Sequence, residues 1–267
     1  MKIFTSANCK TKCLAPIASI MLTGCEGIFN NIYDEPNVET LSTTEGHLYI
    51  DASGWQEWHY IDLKALADSS TNNPHFNTSS LWVTISIPTV ENLEAETDGR
   101  ANADGIYTYW YDVFGQGVSN NEYRGFVPTE PQPEPEHWTF AVHRNNVRTN
   151  GCLVAETDFE TLEQISEHNF CLSELQFESD VWNQTDVWTV QDRMLNGIVG
   201  SQGITVNNVL SGWLRMTIPP MPPVFEINRR VFILKLPDNT FAALQLQDYT
   251  SETGTKCCLS INYKYPL

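Results

Sequence analysis

The chain has 267 residues, with 33 Asp and Glu against 15 Lys and Arg, for a formal net charge of −18. A surface this acidic repels phosphate backbones and anionic lipid heads, which argues against nucleic acid as a partner. The length suits one large β domain or two smaller ones with a sizeable core.

Residues 1–24 have the order of a secretion signal: Lys2, Lys10 and Lys12, an apolar run from Cys13 to Leu22, then Thr23 and Gly24 before Cys25. The run covers about ten residues, and spanning a bilayer core of ~30 Å takes roughly 20, so it reads as a processing segment. The quartet Leu22-Thr23-Gly24-Cys25 resembles the lipobox of bacterial lipoproteins. That resemblance implies diacylglyceryl transfer to Cys25, cleavage after Gly24, and an outer-membrane, cell-surface location held by lipid alone. Buried acyl chains contribute ~0.8 kcal/mol per methylene, enough for lasting attachment when two or three are present. The alternative is an ordinary buried cysteine near the terminus. Without Lys2, Lys10 and Lys12, 12 cations face 33 acids, a net charge of about −21.

Residues 25–45 show no period of 2 or 3.6 and read as a flexible tether from the lipidated cysteine. From residue 46 to 267 the pattern is that of an all-β domain. Segments rich in Val, Ile, Thr and aromatics predict strands at His47 to Asp51, Trp58 to Leu63, Leu81 to Ile87, Trp138 to Val142 and Val187 to Gln191. Three more follow at Val231 to Leu236, Phe241 to Asp248 and Leu259 to Tyr265. The turn residues Pro237-Asp238-Asn239 and Glu252-Thr253-Gly254 make these three an antiparallel meander. One short helix is predicted around Phe159, Leu162 and Ile165.

Between Ile87 and Trp138 the sequence reads as a long irregular insertion, placed at about 81–137. It carries an acidic patch from Glu91 to Asp104, an aromatic cluster from Tyr107 to Phe114, and the stretch Pro128 to Pro135. Prolines donate too few backbone hydrogens for an inner strand, so this stretch should wrap the outside.

Paired histidines on a helix face, Gly-x-Ser-x-Gly, Cys-x-x-Cys and phosphate-cradling glycine loops are all absent from the sequence. The reading is therefore of a binding protein and not an enzyme. Cys152, Cys171, Cys257 and Cys258 read mostly as small core residues, with a bridge from Cys152 to Cys171 as the open alternative. Strand histidines such as His47, His59 and His143 read as hydrogen-bonding residues, with a ligand role as the alternative. After cleavage three methionines remain, Met194, Met216 and Met221, within 28 residues of one another. They either fill gaps in a core or face a pocket for a soft or porphyrin-bound metal.

The block Trp138-Thr-Phe-Ala-Val-His143-Arg144-Asn-Asn-Val-Arg148-Thr-Asn-Gly151 resembles a core motif of the HmuY family of haemophore-like lipoproteins. Tyr49 to Ser53, Trp58 to Asp62, Gly212-Trp213-Leu214 and the closing segments up to Pro266 are similar to further family blocks in the same order. The resemblance implies an all-β fold that binds haem and passes it to an outer-membrane, TonB-dependent transporter. It also implies iron held by two histidines or, in relatives, by methionines. The family's second ligand lies five residues after the Trp of Gly-Trp-Leu, which here is Ile218, a residue with no donor atom. Met216 and Met221 flank that position, and Met194 is the soft donor near the first. The expected site is thus an apolar slot lined by Trp213 and Ile218, with Met194 and Met216 or Met221 as axial ligands. The insertion departs from the shorter members, and Arg193, Arg215 and Arg229 are the cations that could meet the haem propionates. The rival reading keeps the fold without haem ligation and uses the Tyr107 to Phe114 aromatics to engage a glycan or protein.

Overall fold

The computed structural model describes residues 44–72, 82–88, 106–112, 123–167, 172–184, 187–190, 198–217 and 223–267. In chain order the strands are β1 (Thr44–Asp51), β2 (Glu57–Ile61), β3 (Trp82–Ser86), β4 (Tyr107–Asp112), β5 (Tyr123–Pro128), β6 (Phe140–His143), β7 (Asn146–Thr149) and β8 (Leu153–Glu156). They continue as β9 (Val181–Asn183), β10 (Trp188–Val190), β11 (Ile198–Gln202), β12 (Ile204–Val206), β13 (Leu214–Thr217), β14 (Val224–Ile227), β15 (Phe232–Lys235), β16 (Phe241–Thr250) and β17 (Lys256–Tyr265). Helices are short: α1 (Leu63–Asn72), α2 (Glu163–Glu167) and α3 (Asn208–Ser211). The expected all-β class is what forms, and the paired strands run antiparallel.

The central sheet has the order β1-β17-β16-β15-β8. Its first hairpin follows from local chemistry. Asn239 takes φ 67°, which Asn tolerates better than most residues, and the Asp238 carboxylate accepts from Thr240 N and Oγ1 at 3.0 and 2.6 Å. That turn sets Phe232 opposite Leu244 and Lys235 opposite Phe241. Gly254, at φ 87°, closes the second turn, so the predicted meander is the one observed. At the edge, Gly46 lies opposite Tyr263, and a Cβ there would come within 2.5 Å of the tyrosine oxygen. The ring therefore packs flat over bare backbone. One face of the sheet carries the main core: Leu48, Ile50, Leu244, Leu246, Leu259 and Ile261 are wholly buried with Phe140, Trp213 and Phe232. Each such side chain contributes about 1.5–3 kcal/mol through apolar burial.

A second sheet, β3-β2-β6-β7, closes over this core, and a third has the order β10-β11-β4-β5. The pairs β12-β9 and β13-β14 complete the described strands.

Several expectations need correction. The insertion is not one irregular loop: Tyr107–Asp112 and Tyr123–Pro128 are paired strands, and β4 also pairs with the distant β11. Tyr107, Tyr109 and Trp110 are buried, so these aromatics pack inside the protein instead of offering a sticky surface. Strand β1 begins at Thr44, two residues ahead of the domain start expected at residue 46, and the rest of the expected tether lies outside the described residues. Helix α1 was not signalled by periodicity. It starts where the Asp62 carboxylate accepts from Lys64 N and Ala65 N at 2.9 and 3.1 Å, and it buries Leu63, Leu66 and Ala67. The helix expected near Ile165 is the single turn of α2. Cys152, Cys257 and Cys258 are buried free thiols, so Cys152 is not bridged; Cys171 lies outside the described residues. Burial pushes the Cys152 thiol up to about 12, which keeps it protonated and inert.

Candidate functional site

Of the three methionines, the structure describes Met216. It is half-buried on β13, directly opposite Phe225 of β14. Cross-strand partners share a face, and the Phe225 ring packs 5.5 Å from the Tyr249 ring of β16. The Lys256 ammonium lies 4.7 Å from the Tyr249 ring centroid. A thioether is a soft, neutral donor of the type that can hold haem iron. Met194, Ile218, Met221 and the lipidation candidate Cys25 lie outside the described residues.

Trp213 is wholly buried, its ring set edge-on to Phe140 at 6.5 Å and 85°. Its carbonyl accepts from Asn228 N at 2.8 Å, which ties the start of β13 to the end of β14. Ahead of it, α3 is capped by Asn207, whose Oδ1 accepts from Leu210 N at 2.9 Å. Trp213 thus belongs to the main core, and it fixes the hairpin that carries Met216 instead of walling an open slot.

The block from Trp138 to Gly151 forms the β6–β7 hairpin, with Arg144 at φ 55° in its turn. His143 is wholly buried between Glu57 O and Trp188 O, each 2.8 Å from a ring nitrogen. Burial pushes its pKa down to about 4, so the ring is neutral at pH 7 and can donate to only one of the two carbonyls. Arg144 donates to Ser53 O at 2.7 Å and lies 4.1 Å from the Trp55 ring centroid, and Trp55 stacks on Trp188 at 6.1 Å. The hairpin thereby fastens β10, the strand just ahead of Met194 in the chain.

Arg148 on β7 is buried among Trp58, Tyr60 and Trp138, with ring centroids 5.0, 5.2 and 5.2 Å from its guanidinium carbon. It donates to the Tyr60 hydroxyl and pairs with Glu134 Oε1 at 2.8 Å. The Tyr60 hydroxyl donates to Pro133 O at 3.1 Å. The proline stretch does run along the outside as expected, and this cluster pins it there. Burial is the main cause of the raised Tyr60 pKa.

Sequence motifs gave no hint of a third feature. On the β10-β11-β4-β5 sheet, Trp110 Nε1, Trp188 Nε1, Thr189 Oγ1 and both amide atoms of Gln202 are buried without a hydrogen-bond partner. Neutral side chains of this kind make no recognisable spacing, and only the fold gathers them. Of the cations expected near a pocket mouth, Arg215 is exposed opposite Glu226, and Arg229 donates to Gln247 O; Arg193 lies outside the described residues. A cavity of about 500 Å³ elsewhere is lined by Glu156, Asp158 and Glu174, which would repel the anionic propionates, and Met216 does not line it.

No curated protein matches the chain. Solved structures do. A protein of Bacteroides vulgatus described as HmuY-like and heme-binding is 25% identical, with a TM-score of 0.57 over 84% of this chain and 92% of that one. A protein of Bacteroides fragilis described as a lipoprotein is 23% identical, with a TM-score of 0.57 over 84% and 90%. The apo HmuY analog of Tannerella forsythia is 17% identical, with a TM-score of 0.58 over 85% and 97%, and shares the fold. The HmuY protein family profile matches residues 54–263, nearly the whole folded unit, and the chain belongs to the HmuY family.

Proposed function

We propose that this chain binds haem at the cell surface and hands it to an outer-membrane, TonB-dependent transporter. The observation that carries the reading is the family match over residues 54–263, supported by the heme-binding description of a 25% identical structure. Met194 and either Met216 or Met221 are the proposed axial ligands, because Ile218 has no donor atom. Met216, half-buried and paired with Phe225 in the β13–β14 register, supports that assignment. Binding of this kind needs an apolar cleft and one or two ligands, with no nucleophile or base. The Cys25 lipid anchor and the tether after it would leave the domain free to sample the space outside the membrane.

Methionine ligation is tested by comparing Met194→Ala, Met216→Ala and Met221→Ala with the unaltered domain in haemin titrations, oxidised and reduced. Loss of two axial ligands should be visible as two variants that each lose the low-spin spectrum. Three variants with unchanged spectra would exclude methionine as the ligand.

A further inference from the structure

The β13–β14 hairpin has two faces. Leu214 is wholly buried in the main core, so Met216, two residues on, faces the same way, together with its partner Phe225. Arg215 and its partner Glu226 face away, which takes the cation next to Met216 in sequence off that side. Phe225 and Tyr249 are half-buried against the edge of the core, their rings 5.5 Å apart and inclined by 31°. The exposed Lys256 ammonium completes the row, 4.7 Å from the centre of the Tyr249 ring. A thioether, two rings and an ammonium thus follow one another near the ends of β13, β14, β16 and β17.

Lys256 is uncommitted where other cations are engaged. Among the described residues, Arg148, Arg230 and Lys264 pair with Glu134, Glu160 and Glu45, whereas Lys256 has no carboxylate partner. Its Nζ donates to Tyr249 Oη and Thr250 Oγ1, both at 3.3 Å, which are long contacts to neutral oxygens. An ammonium has three protons, so one is unused. The Tyr249 oxygen accepts from Lys256 and keeps its own proton to donate outward. Asp248 on the same strand is taken by the Tyr249 and Thr250 backbone N–H groups at 2.7 and 3.2 Å. In a chain of net charge −18, an unpaired ammonium beside a hydroxyl makes a two-donor grip for a carboxylate.

We propose that Lys256 and Tyr249 hold one propionate carboxylate of the haem, with Phe225 lying between that grip and the iron ligand Met216. The ammonium donates to one carboxylate oxygen and the tyrosine hydroxyl to the other. The inference rests on the haem reading above and adds which group of the ligand is held and by what. Lys256 takes the part that Arg193, Arg215 and Arg229 were expected to play, and the propionate edge of the macrocycle points to the β16–β17 turn.

The test is titration of the protein with haemin and with haemin dimethyl ester, which keeps the iron and the macrocycle but carries no propionate charge. Lys256→Gln should bind haemin about tenfold more weakly at low salt and keep the low-spin spectrum, because iron ligation is untouched. Tyr249→Phe, which keeps the ring and loses the hydroxyl, should weaken binding about threefold. The ester should bind the unaltered protein about as weakly as haemin binds Lys256→Gln, and that variant should weaken the ester no further. Equal affinity of the unaltered protein for haemin and ester overturns the inference even if a variant fails to fold. Haemin bound by Lys256→Gln as tightly as by the unaltered protein, or a loss in that variant equal for haemin and ester, overturns it too. So does a tenfold loss with Arg215→Gln where Lys256→Gln has none, which would put the carboxylate on the other face of the hairpin. Each of these leaves the haem reading standing, whereas no spectral change with haemin overturns both.

Discussion

His143 gives the fold a pH dependence whose sign and size follow from its burial. An unperturbed imidazole titrates near 6.5, and burial holds this one down to about 4. As pH falls, the unfolded chain takes up the proton first, near 6.5, while the folded chain resists it until about 4. The stability contributed by the neutral ring is therefore complete above pH 6.5 and is lost as pH falls toward 4. A difference of about 2.5 units corresponds to about 3 kcal/mol at 1.36 kcal/mol per unit, a large share of the 5–15 kcal/mol typical of a domain. The two carbonyls at 2.8 Å favour the protonated ring and already offset part of the burial in that value of about 4. His59, also pulled down chiefly by burial, acts in the same direction. The assay is urea unfolding followed by tryptophan fluorescence from about pH 7.5 to 4.5, for the unaltered domain and His143→Gln. The variant should be less stable at pH 7.5 but should lose less on acidification. Parallel curves for the two proteins would refute the reasoning.

Trp213→Ala should cost about 3–5 kcal/mol in chemical unfolding, because it empties a wholly buried site against Phe140. Arg148→Ala should cost about 2–4 kcal/mol through lost packing and cation–π contact with three rings, whereas Glu134→Ala should cost under about 1 kcal/mol. The Glu134 side chain is 44% exposed, and a double-mutant cycle measures how small its share is. Asn207→Ala removes the α3 cap and the hydrogen bonds to Glu178 O and Asp180, and should lower stability by about 1–2 kcal/mol in thermal unfolding.

The C-terminal meander was legible because its turns are local: Asp238, Asn239 and Gly254 dictate where the chain reverses, and alternation does the rest. Strands β4 and β5 were not. Tyr107 to Tyr111 is nearly continuous in aromatics, so it lacks a period, and its partner β11 lies far along the chain. Helix α1 is not legible because its start depends on the Asp62 cap, while Ser69, Ser70 and Thr71 weaken its pattern. The family blocks were legible as residues, but their structural work was not. Trp213 and His143 turn out to be wholly buried fastenings, and Arg148 a cation caged by rings. The buried, unpaired amide of Gln202 has no sequence signal at all, since only the fold buries it.

Equilibrium titration of the lipid-free domain with haemin, oxidised and then reduced, tests the central claim most directly. The account predicts a saturable one-to-one Soret change with a low-spin spectrum in the reduced state that weakens in Met216→Ala or Met221→Ala. A titration indistinguishable from haemin in buffer would contradict it.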